Sequence, residues 1–309
     1  EKPLVTVVTV VRNAVKDGRQ EMFEQCIASV RSQRYPNVEH LVMDGASADG
    51  TTNLLDKYQE LGWLKYYSEP DSGMYEAMNK GIKRANGKYI VFLNTDDYFH
   101  NADAIGESVF SLENSNADFS FASNRILKEN GVCDTIRRPE IGSFVAQMPF
   151  CHQTMFTRKD ALVKVGMFNE HYKSSADYDL VLRMILGGYK YVEVETDIVT
   201  YRNGGVSESV EQRSNEEKLD IFQKLYAPYY NVSETFAREL AGRICPIGFC
   251  ENLIKSVSAE LGDAIRAAVV RTDEENGKCY FPLENMETLG YELKDSTARS
   301  GQVDKYLSI

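Results

Sequence analysis

Basic residues are in deficit in this chain: 35 Lys and Arg stand against 46 Asp and Glu, a formal net charge of −11. That excludes the basic footprint of a nucleic-acid binder. It leaves room for an anionic nucleotide, because local cations and a bound metal set the local field. Long apolar runs are missing, and with them a membrane-spanning helix. There is no signal-peptide pattern, internal repeat or low-complexity tract, so a cytoplasmic protein is expected. Histidine is scarce, with four residues, and none of the six cysteines (Cys26, Cys133, Cys151, Cys245, Cys250, Cys279) forms a CxxC pair. A zinc site is therefore not expected, and the cysteines read as reduced thiols. What is present is 43% hydrophobic residues in 309, enough for one large domain or one domain plus a smaller one.

The first third alternates two periodicities. Residues 4–11 are a β-branched run, a buried strand by composition. Met22, Phe23, Cys26, Ile27 and Val30 then recur at helical spacing until Tyr35-Pro36-Asn37. A strand over 38–43, a helix over 52–61, a short strand over 64–67, a helix through Met74, Ala77, Met78 and Ile82, and a strand over 88–94 follow. The order β-α-β-α-β-α-β predicts a largely parallel sheet with helices on both faces. Such sheets bind ligands at the carboxyl ends of their strands. Arg12-Asn13, residues 44–51 and Asp96-Asp97 all fall there.

The second half is less regular. A strand is expected over 118–122, a hairpin or mobile loop over 130–148, helices over 160–165 and 178–186, and strands over 189–194 and 198–201. Charged helices follow over 211–226, 233–244 and 251–270, then a weakly periodic tail. Apolar residues beside Lys255 in 244–257 are open to two readings, peripheral membrane contact or helix packing.

Asp96 and Asp97 stand at the exit of an apolar strand. Placing two carboxylates there costs Coulomb repulsion. A divalent cation shared with a phosphate-bearing ligand offsets that cost, and oxygen ligands suit Mg²⁺ or Mn²⁺. Asn94-Thr95-Asp96-Asp97-Tyr98 is also ordinary turn composition.

Four segments in order carry a resemblance: Thr6-Val7-Val8-Thr9-Val10-Val11-Arg12-Asn13, Asp44-Gly45-Ala46-Ser47-Ala48-Asp49-Gly50-Thr51, Glu69-Pro70-Asp71-Ser72-Gly73-Met74-Tyr75-Glu76-Ala77-Met78-Asn79-Lys80-Gly81 and Leu93-Asn94-Thr95-Asp96-Asp97. Together they resemble family 2 glycosyltransferases of the bacterial surface-polysaccharide branch. The resemblance covers about residues 3–207. It implies a GT-A fold, an α/β Rossmann-like and mostly parallel sheet with flanking helices. It further implies donor contacts from Thr9, Val10, Arg12, Asn13, Asp71, Tyr75 and Asn79, and a base-reading carboxylate at Asp44. Asp97 is the implied metal ligand, with Asp96 on the ribose or the metal, and Mn²⁺ or Mg²⁺ is the implied cofactor. Ser175-Ala176-Asp177-Tyr178-Asp179-Leu180 is similar to the family's acidic motif at a helix start, with Asp177 in the base position and Ala176 where Glu is frequent. His152 and Gln153 fall where a sugar pocket is implied.

Structural readings stand beside these. Asp44 also suits an Asx-turn; Asp49, Asp71 and Asp177 also suit helix N-caps. Two departures from the family pattern matter. No histidine follows His171, where many relatives supply a metal ligand; Tyr201-Arg202-Asn203-Gly204-Gly205-Val206-Ser207 occupies that stretch instead. The processive QxxRW motif is missing, which favours transfer of a single sugar. The expected function is an inverting, metal-dependent transferase. It moves one sugar from a nucleotide-sugar donor, a UDP-hexose or UDP-N-acetylhexosamine, to a glycan or lipid-linked acceptor. The alternatives are a sugar-1-phosphate nucleotidyltransferase, whose glycine-rich loop is not seen after the first strand, and a catalytically silent glycan-binding module. A catalytic domain over 1–207 (nucleotide half 1–100, acceptor half 101–207) and a helical extension over 208–309 are expected.

Overall fold

The computed structural model describes residues 2–203, 211–282 and 286–288. Four parallel strands, β1 (Val5–Val11), β2 (Val38–Asp44), β3 (Lys65–Ser68) and β4 (Tyr89–Phe92), lie in the order β4-β1-β2-β3. Helices α1 (Gln20–Arg31), α2 (Thr51–Glu60) and α3 (Met74–Arg84) connect them. β1 is buried almost throughout, as a central strand covered on both faces must be. Its side chains alternate between two cores. Val5, Val7 and Val11 pack with Phe23, Ile27 and Leu55 of α1 and α2. Val8 packs with Met78 and Ile82 of α3 on the other face.

Beyond β4 the sheet changes character. β5 (Tyr98–Phe99), α4 (Ala104–Ser115), β6 (Phe119–Leu127), β7 (Thr135–Arg137), β8 (Phe156–Arg158), α5 (Lys159–Lys164), α6 (Ala176–Leu186) and β9 (Tyr191–Arg202) follow in the chain. β8 pairs antiparallel with β4 and β6, while β9 runs parallel to β6 and takes β5 antiparallel on its far edge. The two strands expected over 189–194 and 198–201 are one, β9, kinked where its pairing with β6 shifts register at Ser123. Residues 130–148 hold β7 and a 3₁₀ turn over Ile141–Val145.

The C-terminal part comprises α7 (Glu211–Tyr226), α8 (Glu234–Ala241), β10 (Ile244–Pro246), α9 (Ile247–Ser256), α10 (Ala259–Ala268), β11 (Arg271–Asp273), β12 (Lys278–Tyr280) and β13 (Met286–Thr288). It is not purely helical. β10, β12 and β11 form a separate small sheet, and β13 pairs with β7. The helix expected over 251–270 is broken at Val257 and Ser258, where the Ser258 hydroxyl accepts the Leu261 N–H and starts α10 afresh. Cys245, Phe249, Cys250 and Leu253 are buried, so the apolar residues of 244–257 pack inward. Among the described residues no helix is long and apolar enough to cross a membrane. The Gly204-Gly205-Val206-Ser207 stretch and the expected 207/208 boundary lie outside the described residues.

Candidate active site

The carboxyl ends of the parallel strands are level, because Val11 pairs with Asp44 and Asp44 with Ser68. Asp44 is 1% exposed. Its carboxylate accepts hydrogen bonds from the Ser47 N–H (3.0 Å), the Ser47 hydroxyl (2.5 Å) and the Ser68 hydroxyl (2.6 Å). The turn expected after β2 therefore exists and uses Asp44. Asn13, at φ +50°, locks the neighbouring loop: its N–H donates to Ser47 Oγ (2.8 Å) and its Oδ1 accepts from Ala48 N–H (3.1 Å). Asp49 accepts the Thr51 N–H, but the N-cap of α2 is Gly50. Sequence reasoning missed Ser47 and Ser68. Ser47 had a signal, the Asx-turn spacing from Asp44; Ser68 reaches Asp44 only through the β2–β3 register.

Gly45 packs so closely that a Cβ there would lie 2.5 Å from Asp71 Oδ2 and 3.3 Å from Arg12 Cδ. Arg12, Gly45 and Asp71 therefore meet at the sheet tip. Asp71 Oδ1 accepts the Gly73 N–H (3.0 Å), while Gly73 itself is the N-cap of α3. Thr9 and Asn79 lie elsewhere. Thr9 is fully enclosed, its hydroxyl 3.1 Å from His40 Nε2, and Val10 beside it packs on the α3-side core. Asn79 is 3% exposed and pairs in both directions with Phe168, donating to its carbonyl (2.9 Å) and accepting its N–H (3.0 Å). Its amide also reaches Glu170 (2.8 Å). These contacts place Asn79 as a brace for the loop before α6, rather than on the open cleft.

Asp97 is 1% exposed and Asp96 beside it is half-buried. Gln153 Nε2 donates to Asp97 Oδ2 (2.8 Å) and the Arg202 N–H donates to Oδ1 (3.0 Å). β5–β9 pairing brings Arg202 there, and its side chain donates to the Asp96 carbonyl (2.6 Å). Burial, and next the Asp96 charge, push the Asp97 carboxyl well above the usual carboxylate range. A buried carboxylate balanced only in part by two hydrogen bonds and the Arg202 charge, with a second carboxylate beside it, is a donor set that fits a hard divalent cation.

Asp177 occupies the first turn of α6, whose N-cap is Ser175. The Tyr75 hydroxyl of α3 donates to Asp177 Oδ1 (3.2 Å), and His152 Nδ1 lies 3.6 Å from Oδ2. Asp177 lines a mostly apolar hollow with His152, Phe92, Met155 and Phe168. Burial lowers the His152 pKa, opposed by Asp177, and its Nε2 is buried without a protein partner among the described residues. One 3₁₀ turn, His152–Thr154, thus touches both acidic centres: His152 meets Asp177 and Gln153 meets Asp97. The neighbouring Asp179 instead pairs with Arg183 (2.8 Å), which donates to the Val165 and Met167 carbonyls. A groove of about 440 Å³ near Arg34, His100 and Arg125 lies apart from these acids. Asp197 pairs there with His100 and Arg125.

A curled, mostly parallel sheet with flanking helices is the fold of GT-A glycosyltransferases, and solved structures share that fold. S. aureus TarS 1-349 in complex with UDP-GlcNAc matches with a TM-score of 0.59 and 16% identity, over 85% of this chain and 83% of that one. The mannosyltransferase PcManGT of Pyrobaculum calidifontis, in complex with GDP-Man and Mn²⁺, matches with a TM-score of 0.59 and 17% identity, over 87% of this chain and 75% of that one. The glycosyl transferase family 2 model matches residues 6–164, and the chain belongs to that family. An uncharacterised glycosyltransferase of Mycobacterium tuberculosis (strain H37Rv) is 32% identical over 192 residues, 60% of this chain and 70% of that protein. A Bacillus subtilis (strain 168) glycosyltransferase named for teichuronic acid biosynthesis is 33% identical over 132 residues, 42% of this chain and 50% of its own length.

Proposed function

We propose that this family 2 glycosyltransferase is an inverting, metal-dependent enzyme that moves one sugar from a UDP-hexose or UDP-N-acetylhexosamine to a glycan or lipid-linked acceptor. The observation that carries the reading is the shared turn, His152–Thr154, whose neighbouring side chains contact both Asp97 and Asp177. Structural neighbours in complex with UDP-GlcNAc and with GDP-Man and Mn²⁺ support a nucleotide-sugar donor.

In this reading Asp97 and Asp96 hold Mn²⁺ or Mg²⁺. Bound there, the ion supplies neutralising charge for the diphosphate leaving group. Asp44 reads the base: Ser47 and Ser68 orient its buried carboxylate with three donors, which leaves about one acceptor site for a base N–H, and a base without that donor forgoes the bond. Arg12 and Asp71 flank that pocket across Gly45. Asp177 takes the proton of the acceptor hydroxyl, oriented by the Tyr75 hydroxyl, its side chain 25% exposed and so open to an acceptor. One base and one displacement give inversion.

Asp177→Asn tests the assignment. It keeps the shape and loses the proton acceptor, so kcat is expected to fall by about 10²-fold or more. UDP affinity in Mn²⁺, measured by titration calorimetry, should hold within about twofold. Undiminished turnover would move the base elsewhere, and loss of UDP binding would make Asp177 part of the donor site.

A further inference from the structure

Three cysteines stand apart from the cleft. Cys245 lies on β10, Cys250 on α9 and Cys279 on β12, and they are 0%, 5% and 2% exposed. Cys245 and Cys279 are direct partners across the antiparallel pair, and α9 turns Cys250 back onto them. Their Sγ atoms form a closed triangle, with edges of 3.1 Å (Cys245–Cys250), 3.2 Å (Cys245–Cys279) and 3.3 Å (Cys250–Cys279). Thiols are weak donors and weak acceptors, so three neutral ones gain little from such contact. As thiolates they repel one another, and a cation between them removes that cost.

We propose that Cys245, Cys250 and Cys279 bind a thiophilic d¹⁰ cation of the zinc class as a structural staple. The CxxC spacing expected of such a site is not needed, because the fold brings together residues 34 positions apart. Zn–S bonds of about 2.3 Å put tetrahedral sulfurs about 3.8 Å apart, so the edges of the triangle open by about 0.5–0.7 Å. Three thiols give up three protons as three metal–sulfur bonds form. Among the described residues no fourth His, Cys, Asp or Glu joins the group, which leaves the fourth corner to a small exogenous donor.

The staple has something to hold. Strands β10, β11 and β12 have three residues each, too short to be stable unaided. Their sheet is tied to the 141–147 region: Arg243 donates to Gln147 (2.7 Å), and Gln147 donates to the Pro282 carbonyl (3.2 Å). In the same region the Phe144 carbonyl accepts the hydroxyl of Tyr178, the neighbour of Asp177 (2.7 Å). The inference does not rest on the donor, the base or the reaction proposed above.

Tag-free full-length chain, purified under reductant without added metal, is expected to carry about one zinc per chain by elemental analysis. Replacement by Co²⁺ should give a thiolate-to-metal charge-transfer band. Cys245→Ser, Cys250→Ser and Cys279→Ser should each lose the metal, and Cys133→Ser should keep it. Where a serine variant does not fold, alkylation of the wild-type chain decides. The three thiols should be protected until a chelator is added, with Cys133 reactive throughout. The proposal is overturned by a chain that binds neither added Zn²⁺ nor Co²⁺ with its thiols reduced. A disulfide between any two of the three as isolated, retention of metal by a serine variant, or alkylation indifferent to chelator would also overturn it.

Discussion

Asp97 is a carboxylate enclosed by protein, and its effect on stability follows from that enclosure. Its pKa is raised in the fold, first by burial, so the native state holds the proton more tightly than the unfolded chain. Stability from this group is therefore present at low pH and is lost as pH rises from about 4, the unfolded value, toward the native one. Asp97→Asn, which removes the buried charge, is expected to raise the melting temperature of chelator-treated protein at pH 7. The gain should shrink to nothing near pH 4, and an unchanged difference between the two pH values would contradict the burial argument. His40 has the opposite sign. Burial lowers it to about 4, and Thr9 shares its Nε2. Its stabilisation is complete above the unfolded value of about 6.5 and is lost as pH falls toward 4, by about 3 kcal/mol at most. His40→Gln should flatten urea-unfolding stability across that interval.

Among the elements, α3 does the most to join the two halves of the cleft. Tyr75 reaches Asp177 and Asn79 braces Phe168, both across roughly ninety residues or more of chain. Asn79→Ala strands the Phe168 N–H and carbonyl, a cost of about 2–3 kcal/mol. The urea midpoint should fall with an unchanged m value, and Asn79→Asp, which sets a carboxylate against the Phe168 carbonyl and Glu170, should not recover the loss. α3 itself was legible, because Met78 and Ile82 recur at helical spacing and face the core. The partners of Asn79 were not, since nothing local to 74–84 points to Phe168. The 3₁₀ turn His152–Thr154 is a similar case. His152 and Gln153 were singled out for a sugar pocket, but their division between two acids depends on β8 packing between β4 and β6.

At the scale of the molecule, the C-terminal part is packed against the catalytic half at backbone distance. A Cβ on Gly142 would lie 2.0 Å from the Ala264 carbonyl oxygen of α10. Gly142→Ala is therefore expected to force α10 from the 141–145 turn and cost about 3 kcal/mol or more, read as a lower melting temperature. An unchanged melting temperature would mean the two segments separate freely. The alternation of strand and helix, the strand-tip acids and the family motifs were written in local patterns, because periodicity and turn chemistry act within a few residues. Tertiary structure alone decided that β8 enters antiparallel, that 189–202 is one kinked strand, and that 244–280 folds into a small sheet around three sulfurs. Those outcomes depend on register and on contacts between residues far apart in the chain, and hydrophobic period carries no record of either.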